Sequence, residues 1–121
     1  MDSNPFGEVI FSYSRQQAID DGVLVNLSQF QVIRVYWSRS FCCTATVWSI
    51  IEEGTKSGSD LDGILHDISW AAKTMISQRN READTISFRV IIGNRAHDLK
   101  LHVGPGDTPA PVLTLMLLDE D

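Results

Sequence analysis

The apolar positions of this chain change period several times. From Glu8 to Tyr13, Val9, Phe11 and Tyr13 alternate with Glu8, Ile10 and Ser12, which predicts a strand. Ser14 can cap a short helix over Arg15–Asp21, and Gly22 suits its C-terminal stop because glycine takes the left-handed conformation without steric cost. Val23–Leu27 returns to a β-like run. Between Ser28 and Phe41, Val32, Arg34 and Tyr36 alternate with Ile33, Val35 and Trp37, so the spacing predicts a strand with apolar or aromatic groups on both faces. Such a strand is either buried on both sides or part of a partner surface. Thr44 can cap a further helix of about ten residues, with Val47, Ile50 and Ile51 on one face and Gly54 ending it. The small polar segment Gly54–Ser59 reads as a loop.

From Asp60 the period is helical and sustained. Leu61, Ile64, Leu65, Ile68, Ala72, Met75 and Ile76 form one apolar stripe that ends near Arg79, and a helix of that kind must lie on something. The last third supplies it. Ile86, Phe88, Val90 and Ile92 alternate with Ser87, Arg89 and Ile91; a polar turn over Gly93–His97 leads to Leu99, Leu101 and Val103; and Gly104–Pro111 turns the chain into Val112–Leu118. Three strands joined by short turns make an antiparallel meander with one face free for the helix. The predicted fold class is therefore α+β: an antiparallel sheet with a C-terminal three-stranded meander packed against a long central helix and two shorter helices. No internal repeat is visible, and 121 residues make a single domain over 1–121.

Composition narrows the class without naming a function. The chain is 43% hydrophobic and 21% charged, which predicts a folded domain rather than a disordered one. Sixteen acidic against ten basic residues give a net charge of −6, a poor basis for gripping a phosphate backbone, so no direct nucleic-acid binding is expected. No apolar run approaches the roughly 20 residues that span a bilayer, and Met1–Pro5 lacks the basic and apolar regions of a signal peptide. The expectation is a soluble cytoplasmic protein with no membrane partner.

Candidate chemistry is sparse. The only cysteines, Cys42 and Cys43, are adjacent, which disfavours an unstrained disulfide between them and gives no zinc spacing; they read as reduced, small apolar fillers at the entry to a helix. His66, His97 and His102 are scattered. The pairs His66-Asp67 and His97-Asp98 are too short to define a metal site, so neither metal nor cofactor is expected, and no catalytic residue is assigned. Gly104-Pro-Gly-Asp107 lacks the lysine and following helix of a phosphate loop. A small-ligand or enzymatic domain using His66, His97, Asp67 and Asp98 in a closed pocket is the alternative of a different class. A transcriptional accessory factor is a third reading, although no helix-turn-helix with a basic second helix is visible.

Surface features carry more. Trp70 lies about 180° around the long helix from the Leu61 and Ile68 stripe. It either packs under the N-terminal half or serves as an exposed anchor for a partner, a role in which tryptophan is enriched. Tyr36, Trp37 and Phe41, interleaved with Arg34 and Arg39, form a second aromatic cluster. Carboxylates gather at Asp20 and Asp21, Glu52 and Glu53, Asp60 and Asp62, and Asp119, Glu120 and Asp121; beyond Lys100 the chain has four acidic residues and no basic one. These are either solvated surface or a negative face for a basic partner. The candidate partner-binding residues are therefore Trp70, Trp37, Tyr36, Asp20, Asp21, Glu52, Glu53, Asp119, Glu120 and Asp121. A homodimer burying Trp70 or the Tyr36–Phe41 segment is compatible with the same pattern.

The opening from Asn4 to Val25, Thr44-Ala-Thr-Val-Trp48, Leu65-His-Asp-Ile-Ser-Trp-Ala-Ala72, Val103-Gly-Pro-Gly-Asp107 and the ending from Leu113 to Asp121 together resemble a family of short uncharacterised proteins encoded on bacterial plasmids, phages and integrated elements. This chain departs from the family pattern in its extra aromatic residues around Tyr36–Phe41 and in His66, where the family has tryptophan. The resemblance implies a mobile-element context in a bacterial host cell rather than a reaction. In that context small acidic proteins act as stoichiometric inhibitors of host defence, anti-CRISPR proteins among them, and cover the surface of a CRISPR effector or another nucleic-acid-handling complex. An accessory or regulatory protein of a plasmid or phage is the other reading of that context.

Overall fold

The C-terminal meander forms the larger part of one five-stranded sheet. A computed structural model describes residues 14–78 and 84–120; the strand expected over Glu8–Tyr13 and the terminal Asp121 lie outside them. In chain order the elements are α1 (Arg15–Asp20), β1 (Leu24–Asn26), a 3-10 turn (Leu27–Gln29), α2 (Gln31–Tyr36), β2 (Phe41–Thr44), α3 (Ala45–Lys56), α4 (Leu61–Gln78), β3 (Thr85–Ile92), β4 (Arg95–Pro105) and β5 (Pro111–Leu117). The strands lie in the order β1-β2-β5-β4-β3. The β3-β4-β5 meander is antiparallel, as the sequence predicts. One junction is not: β2 runs parallel to β5, with Phe41 beside Leu113 and Cys43 beside Leu115, so the sheet is mixed.

Burial follows the strand period. Ile86, Phe88, Val90 and Ile92 are buried and the residues between them are not, so β3 has one dry and one open face. The dry face joins Leu99, Leu101, Leu113, Leu115, Phe41 and Cys43 in one core with the stripe of α4, in which Ile64, Leu65, Ile68 and Ala72 are buried. At the far end of β3 the chain reverses through Gly93 and Asn94 alone. Both have positive φ, 60° and 71°, the signature of a tight two-residue hairpin turn.

Part of the opposite face is covered by α1. Ser14 and Gln17 form a reciprocal capping box, and the Asp107 carboxylate accepts from the backbone N–H of Arg15 and Gln16 at 2.7 and 3.1 Å. The helix ends as predicted at Gly22, whose φ is 81°, with Val23 N–H bonded back to Ala18 C=O. From α1, Arg15 reaches down to Thr114 Oγ1 and Leu113 C=O at 2.8 and 2.6 Å.

Two sequence expectations are corrected. Ser28–Phe41 is not a strand: it holds α2, and only Phe41 enters β2. Helical spacing places Ile33 and Trp37 on one inward side, while Arg34 and Val35 stay exposed, so tertiary packing outweighs the β preference of this branched run. The excursion is closed by Phe41 N–H donating to Ser28 Oγ and Arg34 donating to Ser28 C=O. Nor does Gly54 end its helix. It lies inside α3, where a Cβ would stand 2.9 Å from Ile92 Cγ2, so its smallness serves the crossing of helix and hairpin rather than termination. Thr44 does cap α3, accepting from Val47 N–H.

Candidate interaction surface

The helix α4 turns its polar side towards solvent, and there the sequence places His66 and Trp70 one turn apart. Trp70 is 64% exposed. Its ring stacks on His66 at 6.5 Å between centroids, and His66 in turn meets the ring of Tyr36 at 5.4 Å. The Tyr36 hydroxyl and His66 Nδ1 are hydrogen-bonded. Three aromatic side chains from α2 and α4 therefore form one ordered ridge, with Trp70 as its most exposed member. Unstrained side chains held by neighbours lose little rotamer freedom on binding, which favours such a ridge as a contact.

Beside the ridge lies an open groove of about 490 Å³ between α4 and the hairpin, bordered by Asp67, Trp70, Arg89, Val90, Ile91 and Ala96. Ile91 is also 64% exposed, so two large apolar side chains border the same depression. Asp67 has no ion-pair partner among the described residues. Arg89 does: its Nε donates to Asp98 Oδ1 at 2.8 Å and its Nη2 to Oδ2 at 3.2 Å. This fork holds the Asp98 carboxyl below its usual range and raises Arg89, the hydrogen bond being the larger cause in both. The groove is thus apolar with one uncompensated carboxylate.

Other candidates fall elsewhere. Trp37 is corrected from exposed contact to core: it is 7% exposed, lies against Phe41, and donates its indole N–H to Ser69 Oγ at 3.0 Å. Lys73 Nζ sits 4.4 Å above its ring. Glu120 is corrected likewise, because its carboxylate accepts from Thr44 Oγ1 and Leu117 N–H and ties the chain end to the start of α3. Asp20 accepts from Gln16 within α1, and Asp21 is also engaged. Asp119 is exposed next to exposed Leu118. Glu52 and Glu53 are exposed on α3; Glu53 borders a separate hollow of about 340 Å³ with Arg95 and His97 at the hairpin turn. Asp121 lies outside the described residues. None of these candidate carboxylates borders the groove beside the ridge, whose lining includes Asp67 instead.

His66, Asp67, His97 and Asp98 do not share one pocket: Asp67 borders the groove beside Trp70, and His97 borders the hollow at the hairpin turn. Among the described residues no three His, Cys, Asp or Glu side chains are placed to hold one metal ion. Cys42 and Cys43 are both fully buried. Burial raises both thiols, Cys43 to about 12 with further contributions from Cys42 and Glu120, so neither is an available thiolate at neutral pH. No helix among the described residues is long and apolar enough to cross a membrane.

Sequence periodicity located Trp70 but missed Ile91, and the sequence singled out Asp67 only as half of a His-Asp pair, not as a neighbour of Trp70. A readable signal for Ile91 exists: it is the apolar break in the otherwise polar set Ser87, Arg89, Ile91 of β3. No protein-family model, curated protein or solved structure matches this chain.

Proposed function

We propose that this protein acts by stoichiometric binding to another protein, and that the Trp70 ridge with the adjoining Ile91 groove is the contact. The single observation that carries the reading is an exposed tryptophan held in place by its neighbours and bordering an apolar depression with a second exposed large side chain. Monomeric surfaces seldom gather such groups without a use, and tryptophan dominates the energetics of many interfaces. The net charge of −6 favours a basic partner over nucleic acid itself. With the resemblance to mobile-element proteins, those features make a host nucleic-acid-handling defence complex, such as a CRISPR effector, the first partner class to test, and inhibition without catalysis the mode of action.

The test is direct. The purified protein is titrated into reconstituted CRISPR effector and restriction complexes, and binding and DNA cleavage are both followed. Stoichiometric inhibition that Trp70→Ala weakens by at least about tenfold, the scale of an interface hot spot, is the expected result. A Trp70→Ala protein that inhibits as well as the parent removes this surface from the contact, and failure to bind any such complex removes the anti-defence reading.

A further inference from the structure

The groove beside Trp70 ends against a strand edge. β3 is the last strand of the sheet, and its second side meets no other strand among the described residues. The phase of its backbone is fixed from both ends. In a two-residue hairpin the closing pair, Ile92 and Arg95, bonds reciprocally, and at the opposite end Val103 N–H donates to Asp84 C=O at 2.8 Å. Even-numbered residues of β3 therefore pair with β4. Thr85, Ser87, Arg89 and Ile91 turn their N–H and C=O groups outward, giving a ladder that no described strand fills along an eight-residue strand.

Exposed edges are commonly blunted by shortness, proline, lysine or a bulge. β3 is long and unkinked: its sequence, TISFRVII, contains no proline, glycine or lysine, its one charged side chain, Arg89, is held by Asp98, and its register with β4 is unbroken from Thr85 to Ile92. The sheet's other outer strand, β1, is three residues long. The long edge is also the one that Trp70 and Asp67 flank on the helix side and Ile91 and Arg89 on the open side.

Resting on the protein-binding reading, we infer that β3 receives an extended segment of the partner as a sixth strand, and that this segment carries alternating apolar and basic side chains. Main-chain bonds to the outward groups of Thr85, Ser87, Arg89 and Ile91 supply the docking. Successive side chains of an added strand point to opposite faces, so one set meets Trp70 and Asp67 and the other meets Ile91. Asp67 selects a lysine or arginine. A second copy of this chain fits less well: two molecules at −6 repel, and the one basic residue of β3, Arg89, is already held by its own Asp98.

A random dodecapeptide library displayed on phage is the probe, panned on the full-length protein, with amide hydrogen exchange read in the free protein and with the selected peptide. The expected peptides alternate apolar with basic residues. In the free protein the amides of Ser87, Arg89 and Ile91 exchange quickly while those of Ile86, Phe88 and Val90 are protected, and peptide binding protects the first set. Ser87→Pro removes one outward N–H and no β3-β4 bond, so it keeps the parent melting temperature and loses at least about tenfold in peptide affinity. Exchange in the unmutated protein decides the matter even if Ser87→Pro fails to fold.

An absence of enriched peptides overturns the inference. So does protection of the odd-numbered amides before any peptide is added, which shows the edge already filled, by a second copy if the solution mass is doubled. Binding that Trp70→Ala abolishes but that leaves those amides exchanging also overturns strand addition, while the protein-binding reading stands.

Discussion

Trp37 and Ser69 are joined by an indole N–H to hydroxyl bond of 3.0 Å in the core, where α2 meets α4. That bond explains how a short helix of β-branched residues is held on the long one. A six-residue helix is marginal by itself, and the buried ring gives it an anchor. Ser69→Ala should strand the indole N–H and cost about 1–3 kcal/mol in urea denaturation. In a Trp37→Phe background, which has no donor to strand, the same substitution should cost less than about 0.5 kcal/mol. Equal costs in the two backgrounds would show that the bond contributes nothing.

Gly54 and Gly93 predict an ordered pair of effects where α3 crosses the hairpin turn. A Cβ on Gly93 would stand 3.0 Å from Gly54 Cα, a backbone atom that cannot move alone, and its φ of 60° is unfavourable for alanine. Gly93→Ala should therefore cost at least about 2 kcal/mol. On Gly54 the new methyl would press on Ile64 Cδ1, a side-chain end with some freedom, and on Ile92 Cγ2, a branch methyl of a buried strand residue that moves only with its χ1 or backbone, while helix propensity returns about 1 kcal/mol. Gly54→Ala should cost about 0–2 kcal/mol. Thermal or urea unfolding of both variants gives the order, and a larger cost at Gly54 would contradict this account.

The parts of this fold legible in the sequence are those set by local period. The stripe of α4 and the alternation of β3 follow from spacing alone, as does the position of Trp70 opposite that stripe. What was hidden depended on partners distant in the chain. The run Val32–Tyr36 has strand composition, and only the pocket that receives Ile33 and Trp37 makes it a helix. The parallel pairing of β2 with β5 joins residues some seventy positions apart and leaves no local mark. The same holds for the surface: exposure of Trp70 could be anticipated from its angle, but its neighbour Ile91 and the open edge of β3 depend on strand order. Glu120 reads in the sequence as one of a cluster of acidic residues, and only the fold brings Thr44, 76 positions away, to its carboxylate.

Asp98 should titrate below the usual carboxylate value of 3.8, because Arg89 hydrogen-bonds its charged form. A carboxyl whose folded value is depressed contributes stability above its unfolded value, and that contribution disappears as pH falls through the folded one. Both groups are solvated, so the readout is the titration itself rather than a stability change. Carboxyl NMR should place the Asp98 midpoint below 3.8, and Arg89→Gln should raise it. An unchanged midpoint in Arg89→Gln would mean that the fork does not persist in solution.

Cys43 supplies a prediction on the alkaline side. Burial, with Cys42 and Glu120 adding to it, raises its thiol from 9.0 to about 12, and burial raises Cys42 as well. For a group whose folded value lies above its unfolded one, the stabilising contribution is complete below the unfolded value and is lost as pH rises towards the folded one. Stability should accordingly decline across the window from 9.0 to about 12, as thiols of the unfolded chain ionise while those of the folded chain do not. Cys43→Ala should flatten that decline, although the cavity it leaves lowers stability at every pH. Alkylation gives a second check: iodoacetamide at pH 8 should leave the native protein unmodified and should label both cysteines in urea, each adding one carbamidomethyl mass. Rapid labelling of the native protein would show that the β2 thiols are reached by solvent, contrary to their full burial between the core and α1.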